Sequence, residues 1–167
     1  MRGDRETTFD AIVRRRALVT PDRLALRFAH EGTAGELNFT ARDLDRMARA
    51  VATALRKSAL PGERALLLYD HASDFIAGFL GCLYAGVVAV PLYSPRRNQS
   101  LHRVGLVAAN ARANLALTTH RVIAKLDGDL LRSARVENLQ WLATDRLDDA
   151  QAEEWSGPVS RAEDLAM

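Results

Sequence analysis

At 167 residues, 48% of them hydrophobic and 26% charged, the chain holds enough apolar material for one sizeable core or for one lobe of something larger. Its 23 basic and 21 acidic residues alternate along the sequence, so the formal charge of +2 gathers into no basic face, which argues against a nucleic-acid partner. A single cysteine, Cys82, excludes a disulfide framework and fits a reducing compartment, and the opening MRGDRETT lacks the apolar centre of a secretory signal, so the expected location is cytoplasmic.

Thr7 or Thr8 can cap a first helix that runs to about Leu18, with Phe9, Ile12, Val13 and Ala17 on one face and Thr20 and Pro21 ending it. The basic run Arg14 to Arg16 falls inside that pattern and reads as a solvated helix face. LALRF (Leu24 to Phe28) and ELNFT (Glu36 to Thr40) bracket HEGTAG, whose glycines suit the turn of a β-hairpin. Thr40 stands three residues before Asp43 at capping-box spacing, and Leu44, Met47, Ala48, Val51 and Leu55 follow at helical intervals.

Pro61 and Gly62 break the chain before RALLLY (Arg64 to Tyr69), an apolar strand expected at the centre of a sheet covered on both faces. From Phe75 to Pro95 no residue is charged, a run long enough to cross a bilayer. Gly81, Gly86, the β-branched valines 87, 88 and 90, and Pro91 speak against one continuous helix. A helix capped by Ser73 and a strand over Val87 to Tyr93 account for the run better. Gly78, Cys82 and Gly86 recur every four residues, a small-residue stripe that lets the helix lie close on a sheet, and Cys82 reads as packing rather than as a nucleophile. Pro91 is expected near the end of its strand, because a central strand cannot spare a donor earlier.

Ser100 is expected to cap a helix through Leu101, Val104, Val107, Ala108 and Ala111, with Asn114 ending it before the strand LALTT (Leu115 to Thr119). A short helix from His120 to Leu126, a polar loop around Asp127 to Asp129 and a strand over Leu139 to Thr144 continue the alternation. From Asp145 onward the charged sequence, broken by Gly157 and Pro158, reads as a surface linker. Strand, helix, strand from Arg64 to Thr144 implies an α/β fold: an open, mainly parallel sheet with helices on both faces, preceded by a short helix and a β-hairpin.

In such sheets ligands bind beyond the carboxyl ends of the strands, which singles out DHASD after Tyr69, SPRRNQS after Tyr93 and HRV after Thr119. No Gly-rich phosphate cradle follows any strand, and the four histidines lack metal-ligand spacing, so no metal site is expected. Lys57 and Lys125 stand at helix ends, as solvated charges suited to the helix dipole. Asp70, His71 and Asp74 cluster after the central strand. A carboxylate beside an imidazole can serve as an acid/base pair, while dipole stabilisation by Asp74 and a solvated His71 account for the same residues without chemistry. Arg96 and Arg97 can hold a phosphate or carboxylate by bidentate hydrogen bonds, or stand as surface charges. The substrate- or anion-binding candidates are therefore Tyr93, Arg96 and Arg97, and no residue is assigned a catalytic role.

Together, LLLYDHASDFIAGFLGCLYAGVVAVPLYSPRR and the later NARANLALTT resemble the opening of the fatty acyl-AMP ligases, within the adenylate-forming, AMP-binding enzyme superfamily. PDRLALRF, ARDLDRMARAVATAL and LQWLATD extend the resemblance from Phe9 to about Asp145, and RAEDLAM carries it to the final residues. The chain departs from the pattern at Asp70 to Ala72, where relatives carry a proline or glycine-rich turn, and at Ser94, where they carry a second proline. The resemblance implies the first subdomain of an adenylate-forming enzyme: a partial AMP-binding N-terminal domain over residues 1–167, with 145–167 leading toward an ATP-phosphate loop that is missing. Complete relatives join a fatty acid to ATP as an acyl-adenylate, release pyrophosphate and pass the acyl group to an acyl carrier protein in lipid, polyketide or non-ribosomal peptide biosynthesis. ATP and Mg²⁺ belong to that complete enzyme. The fragment is expected to hold no cofactor and to be inactive, because the loop and the catalytic Lys of the C-terminal domain are not among its residues. The implied partners are the remainder of the ligase and the carrier protein, with self-association through uncovered apolar surface. Two other readings compete: a non-enzymatic α/β interaction module, and a protein anchored in a membrane by Phe75 to Pro95.

Overall fold

In the computed structural model, residues 8–29, 36–94, 101–126, 128–157 and 166 are described. The first helix, α1 (Phe9–Val19), leads into an antiparallel pair, β1 (Leu24–Ala29) and β2 (Glu36–Thr40), whose register slips between Leu24 and Leu26. The HEGTAG turn falls outside the described residues. Then follow α2 (Ala41–Arg56), β3 (Arg64–Tyr69), α3 (Ala72–Ala85), β4 (Val88–Tyr93), α4 (His102–Ala111), β5 (Leu115–Thr118), α5 (His120–Ile123), α6 (Gly128–Ser133), β6 (Gln140–Ala143) and α7 (Asp149–Glu153). The four later strands form a parallel sheet in the order β4-β3-β5-β6, which makes RALLLY an interior strand as its apolar run requires.

Alternation along β3 sorts the core into two layers. Ala65, Leu67 and Tyr69 join Val51, Leu55, Leu80 and Tyr84 on the side of α2 and α3. Leu66 and Leu68 join Val104, Ala108 and Val136 on the side of α4 and α6. Helices therefore cover both faces. The helix α2 starts where the sequence requires: Thr40 Oγ1 accepts from the Asp43 N–H at 3.2 Å while Asp43 Oδ2 accepts from the Thr40 N–H at 2.9 Å. The Thr40 hydroxyl also donates to Asp43 Oδ2 at 2.7 Å, and this bond, followed by the one from the Thr40 N–H, holds the Asp43 carboxyl below its usual range.

The uncharged run divides as expected into α3 and β4, and among the described residues no helix is long and apolar enough to cross a membrane. The stripe of small residues works differently from the sequence reading. Gly78 does face the sheet, since a Cβ there would sit 2.5 Å from the Tyr69 hydroxyl. The other close approach is at Gly81, outside the stripe, where a Cβ would overlap the Val51 side chain of α2. Gly86 ends α3 in the left-handed conformation at φ 72°. Cys82 is fully buried in the α2–α3 layer, and burial pushes its thiol up to about 12, the behaviour of a packing residue.

Several expectations need correction. Arg14 is not on a solvated face: it donates to the buried Asp45 at 2.6 Å. Thr8 precedes α1 without a side-chain capping bond, and His71, not Ser73, occupies the cap position of α3, also without one. Pro91 is the fourth of six residues in β4, opposite Leu67, rather than near the strand's end. It is tolerated because β4 is an edge strand. Val88 donates inward to Glu63 O at 2.8 Å and Ala89 donates outward to Ala166 O at 3.0 Å, so by alternation the donor that Pro91 lacks would face away from β3.

Ser100 lies outside the described residues. The helix α4 ends at Arg112 in the left-handed conformation (φ 54°) instead of at Asn114, whose carbonyl starts the next ladder by accepting from the Gln140 N–H at 2.9 Å. The short helix α5 stops at Ile123, and part of the expected polar loop is the helix α6, whose end packs Leu131, Ala134 and Val136 onto the sheet. Within the stretch read as a linker, Asp148 and Gln151 form a capping box for α7. Cations along α2 hold this segment in place: Arg46 donates to Asp149 at 3.1 Å, Arg49 to the Ala152 carbonyl at 2.6 Å and Lys57 to Glu154 at 3.0 Å. Trp155 closes the strap with its ring 5.1 Å from Tyr84 and the Arg14 guanidinium 5.5 Å from its centroid.

Candidate functional site at the carboxyl edge of the sheet

Parallel strands bring Tyr69, Tyr93, Thr118 and Ala143 to one edge, because Tyr69 is in register with Tyr93 and Thr118 with Ala143. Although they are paired in register, the two tyrosines have opposite environments. Tyr93 is 88% exposed, whereas Tyr69 lies buried beneath Gly78. A chain of hydroxyls ties the buried side together. Thr144 Oγ1 donates to Thr118 O at 3.3 Å, so the Tyr69 phenol is the donor in its 2.9 Å bond to Thr144 Oγ1. Thr118 Oγ1 in turn donates to Leu68 O on β3. Burial drives the Tyr69 phenol far above its ordinary range, so it stays protonated and acts as a hydrogen-bond donor.

The loop after β3 carries Asp70, His71 and Asp74. Lys125 approaches Asp70 at 3.6 Å and Lys57 pairs with Glu154 at 3.0 Å, while both lysine side chains stay solvated, at 49% and 62% exposure. With both partners partly exposed, the Asp70 contact contributes less than about 1 kcal/mol. His71 is exposed at the start of α3. Asp74 is half-buried in the first turn of α3. Burial raises its carboxyl pKa, the His71 charge pulls the other way, and Asp145 and Asp70 add repulsion. Beyond β5, Thr119 caps α5 by accepting from the Val122 N–H, and Asp145 reaches back from β6 to accept from the His120 N–H at 2.8 Å.

Of the three residues expected to bind an anion, Tyr93 stands on this edge with its ring in solvent. Arg96 and Arg97 lie outside the described residues. The loops after β3, β5 and β6 meet at the edge through Asp70–Lys125, Asp145–His120 and Tyr69–Thr144. Sequence reasoning missed Thr144, Asp145 and Lys125 as members of this cluster. The available signal was positional, since each follows the end of a strand or of the short helix after one. Among the described residues no group of three or more His, Cys, Asp or Glu is placed to hold a metal ion. The arrangement offers hydrogen-bond donors, an exposed aromatic ring and weakly paired charges, a surface suited to contacting a ligand or a second domain.

Comparison with known proteins points in one direction. Residues 13–167 match the AMP-binding enzyme family. The chain is 33% identical over 148 residues to the medium-chain-fatty-acid–[acyl-carrier-protein] ligase JamA of Moorena producens, covering 86% of this chain and 25% of that protein. It is 31% identical over 156 residues to the long-chain-fatty-acid–AMP ligase FadD32 of Mycolicibacterium smegmatis, covering 89% of this chain and 24% of the relative. Among solved structures, the fatty acyl-adenylate ligase of L. pneumophila in complex with acyl adenylate and pyrophosphate superposes with a TM-score of 0.84 at 28% identity, over 96% of this chain and 27% of that one. The chain thus spans about a quarter of the length of the relatives it matches.

Proposed function

Because the chain belongs to the AMP-binding enzyme family and carries the N-terminal subdomain fold of its adenylate-forming members, we propose that it is the opening subdomain of a fatty acyl-AMP ligase. The observation that carries this reading is the 33% identity over 148 residues to an acyl-carrier-protein ligase, spread across 86% of the chain. In the complete enzyme a fatty-acid carboxylate oxygen attacks the α-phosphorus of ATP and pyrophosphate leaves. The phosphopantetheine thiol of a carrier protein then attacks the acyl carbonyl and AMP leaves. ATP and Mg²⁺ supply the leaving group and its charge neutralisation in that enzyme.

The part played by this chain is structural. The sheet gives the later subdomain a rigid wall, and residues 145–167 lead from that wall toward the ATP-phosphate loop. Tyr93 at the carboxyl edge, and Arg96 and Arg97 which follow it in sequence, are the residues proposed to contact an anionic group of the substrate. The remainder of the ligase and an acyl carrier protein are the partners. The isolated 167 residues have no adenylation activity, since positioning and charge stabilisation of the phosphates come from elements outside them.

The test is fatty-acid-dependent pyrophosphate release, measured on the isolated chain and on the longer polypeptide that carries it. Release is expected only from the longer protein, and turnover by the 167 residues alone would overturn the reading. In the longer protein, replacing Arg96 and Arg97 with Ala is expected to raise KM for the fatty acid or for ATP more than it lowers kcat. Unchanged kinetics would remove them from the site.

A further inference from the structure

On the adenylation reading above, we infer that Arg56 is a positioning residue for the ATP site: it fixes the point at which the chain leaves the strap after α7 and sets off toward the ATP-phosphate loop. Arg56 is the last residue of α2, where a cation suits the dipole of its own helix. Its guanidinium is aimed elsewhere. Nη1 donates to Ser156 Oγ at 3.1 Å, and Nη2 donates to Gly157 O at 2.5 Å and to Tyr84 O at 3.2 Å. All three bonds leave α2 for the strap and for the end of α3. The guanidinium also lies 6.0 Å from the centroid of the Trp155 ring, whose Nε1–H donates to the same Tyr84 carbonyl at 3.5 Å.

What these contacts join decides the role. Tyr84 stands in the last turn of α3, which holds no basic residue of its own, and Arg56 supplies that helix end with a cation from its neighbour. Directly after it the chain turns at Gly86 and enters β4, the edge strand. Gly157, at φ 108°, adopts a backbone conformation suited to glycine, and its carbonyl is the one that Arg56 holds. Further along the same segment, Ala166 O accepts from the Ala89 N–H of β4 at 3.0 Å. The outgoing chain is therefore tied to Arg56 at Gly157 and to β4 at Ala166, and Arg56 also ties the helix that feeds β4. The other cations that hold the strap act earlier along it, at Asp149, Ala152 and Glu154. Arg46 and Lys57 do so through exposed pairs worth less than about 1 kcal/mol each. A planar fork serving three acceptors in fixed directions sets the exit geometry as a single exposed pair does not.

The test uses the longer polypeptide that carries this chain, with fatty-acid-dependent pyrophosphate release measured against ATP and against fatty acid in turn. Arg56→Ala is expected to raise KM for ATP about tenfold and to leave KM for the fatty acid unchanged, because a displaced phosphate loop meets one substrate only. Arg56→Lys, which keeps the charge and loses the fork, is expected to fall between, at about threefold. Gly157→Ala approaches from the strap: a Cβ there meets nothing within 4 Å, so the change strains the exit backbone without a clash and is expected to raise KM for ATP in the same direction. Gly81→Ala is the control, since it disturbs the packing of α2 on α3 without touching the strap, and is expected to lower Tm while both KM values stay as in the parent. If Arg56→Ala does not fold, Arg56→Lys and Gly157→Ala decide. A parent-like KM for ATP in the Arg56 variants, an equal rise in both KM values, or the same rise for ATP in Gly81→Ala would overturn the role of Arg56 and leave the adenylation reading intact. A parent that releases no pyrophosphate would overturn that reading and the role of Arg56 with it.

Discussion

Asp45 and Asp70 show how differently two regions of this chain treat a carboxylate. Asp45, between α2 and α3, is 2% exposed and accepts from Arg14, Arg49 and the Tyr84 hydroxyl at 2.6–3.0 Å. Asp70, at the carboxyl edge, has as its ion-pair partner among the described residues the partly exposed Lys125, at 3.6 Å. Around Asp45 the helices approach until Gly81 leaves no room for a Cβ, and the Tyr84 and Trp155 rings cover the cluster. At the edge Tyr93 projects into solvent and Asp74 is half-buried at an electrostatic cost. The helix layer surrounds its buried carboxylate Asp45 with three donors, while Asp10 Oδ2 and Thr53 Oγ1 of the same layer are buried without a hydrogen-bond partner. The edge, by contrast, leaves its charged groups largely open to solvent. A scaffold next to an interface has this form: stability is concentrated away from the surface that must stay available.

The contrast breaks most readily at Asp45. Asp45→Ala strands two guanidiniums and a buried phenol at once, and removing one partner of a buried ion pair costs about 3–5 kcal/mol. Arg14 and Arg49 keep some contact with water, at 35% and 20% exposure, so the low end, about 3 kcal/mol, is expected in urea unfolding. A loss below about 1 kcal/mol would mean that the helix layer does not depend on its ionic hub.

Gly81→Ala comes next. Its Cβ would overlap Val51, itself 2% exposed, so relief requires a shift of α2 against α3 and a cost of about 2 kcal/mol. Adding Val51→Ala should recover part of that loss, giving a double variant more stable than the sum of the single changes predicts. Strict additivity would show that the two helices are not packed through this pair.

The legibility of the sequence follows the same division. The periodic apolar residues of α2, the unbroken run of β3 and the Thr40–Asp43 capping box are local signals, and each element formed where they placed it. So did the parallel sheet, because alternating strands and helices leave few topologies. What was missed depended on distant partners. Arg14 looked solvated because Asp45 lies 31 residues away. Residues 148–157 looked like a linker because the cations that hold them belong to α2, about a hundred residues earlier. Pro91 was misjudged because whether a strand lies at the edge of its sheet is a property of the whole sheet. At the carboxyl edge, the position of Tyr93 was legible from its strand end, while Thr144 and Asp145 became visible only once β6 lay beside β5.

Tyr69→Phe probes the edge from its buried side. It removes the donor to Thr144 but leaves Thr144 bound to Thr118 O, so one neutral hydrogen bond is lost and no charge is stranded. The expected cost is about 1 kcal/mol, or roughly 2–4 °C in Tm. A loss as large as that at Asp45 would place the hydroxyl chain among the principal stabilising contacts of the fold and would weaken the division between closed layer and open edge.

The smallest effect, and the one whose sign is most informative, is expected at Asp74. Burial raises this carboxyl above its ordinary value of 3.8 in the folded chain. Between the unfolded and the raised folded value the native state binds more protons than the unfolded one, so stability falls as pH climbs through that window, and the deficit persists above it. Asp43 behaves oppositely. Its folded value is depressed by Thr40, so its contribution is present above the unfolded value and is lost as pH falls through the folded one. Asp74→Asn removes the titration while keeping the shape. Melting temperatures of parent and variant from pH 3 to pH 7 should therefore diverge in favour of the variant as pH rises through the raised value, then run parallel. Thr40→Ala should give a difference of opposite sign, its loss of about 1 kcal/mol greatest at neutral pH and smaller in acid. If Asp74→Asn instead lost ground with rising pH, the α3 helix dipole would outweigh the burial of the ionised carboxylate, and Asp74 would belong with Asp43 among the well-satisfied charges of the scaffold.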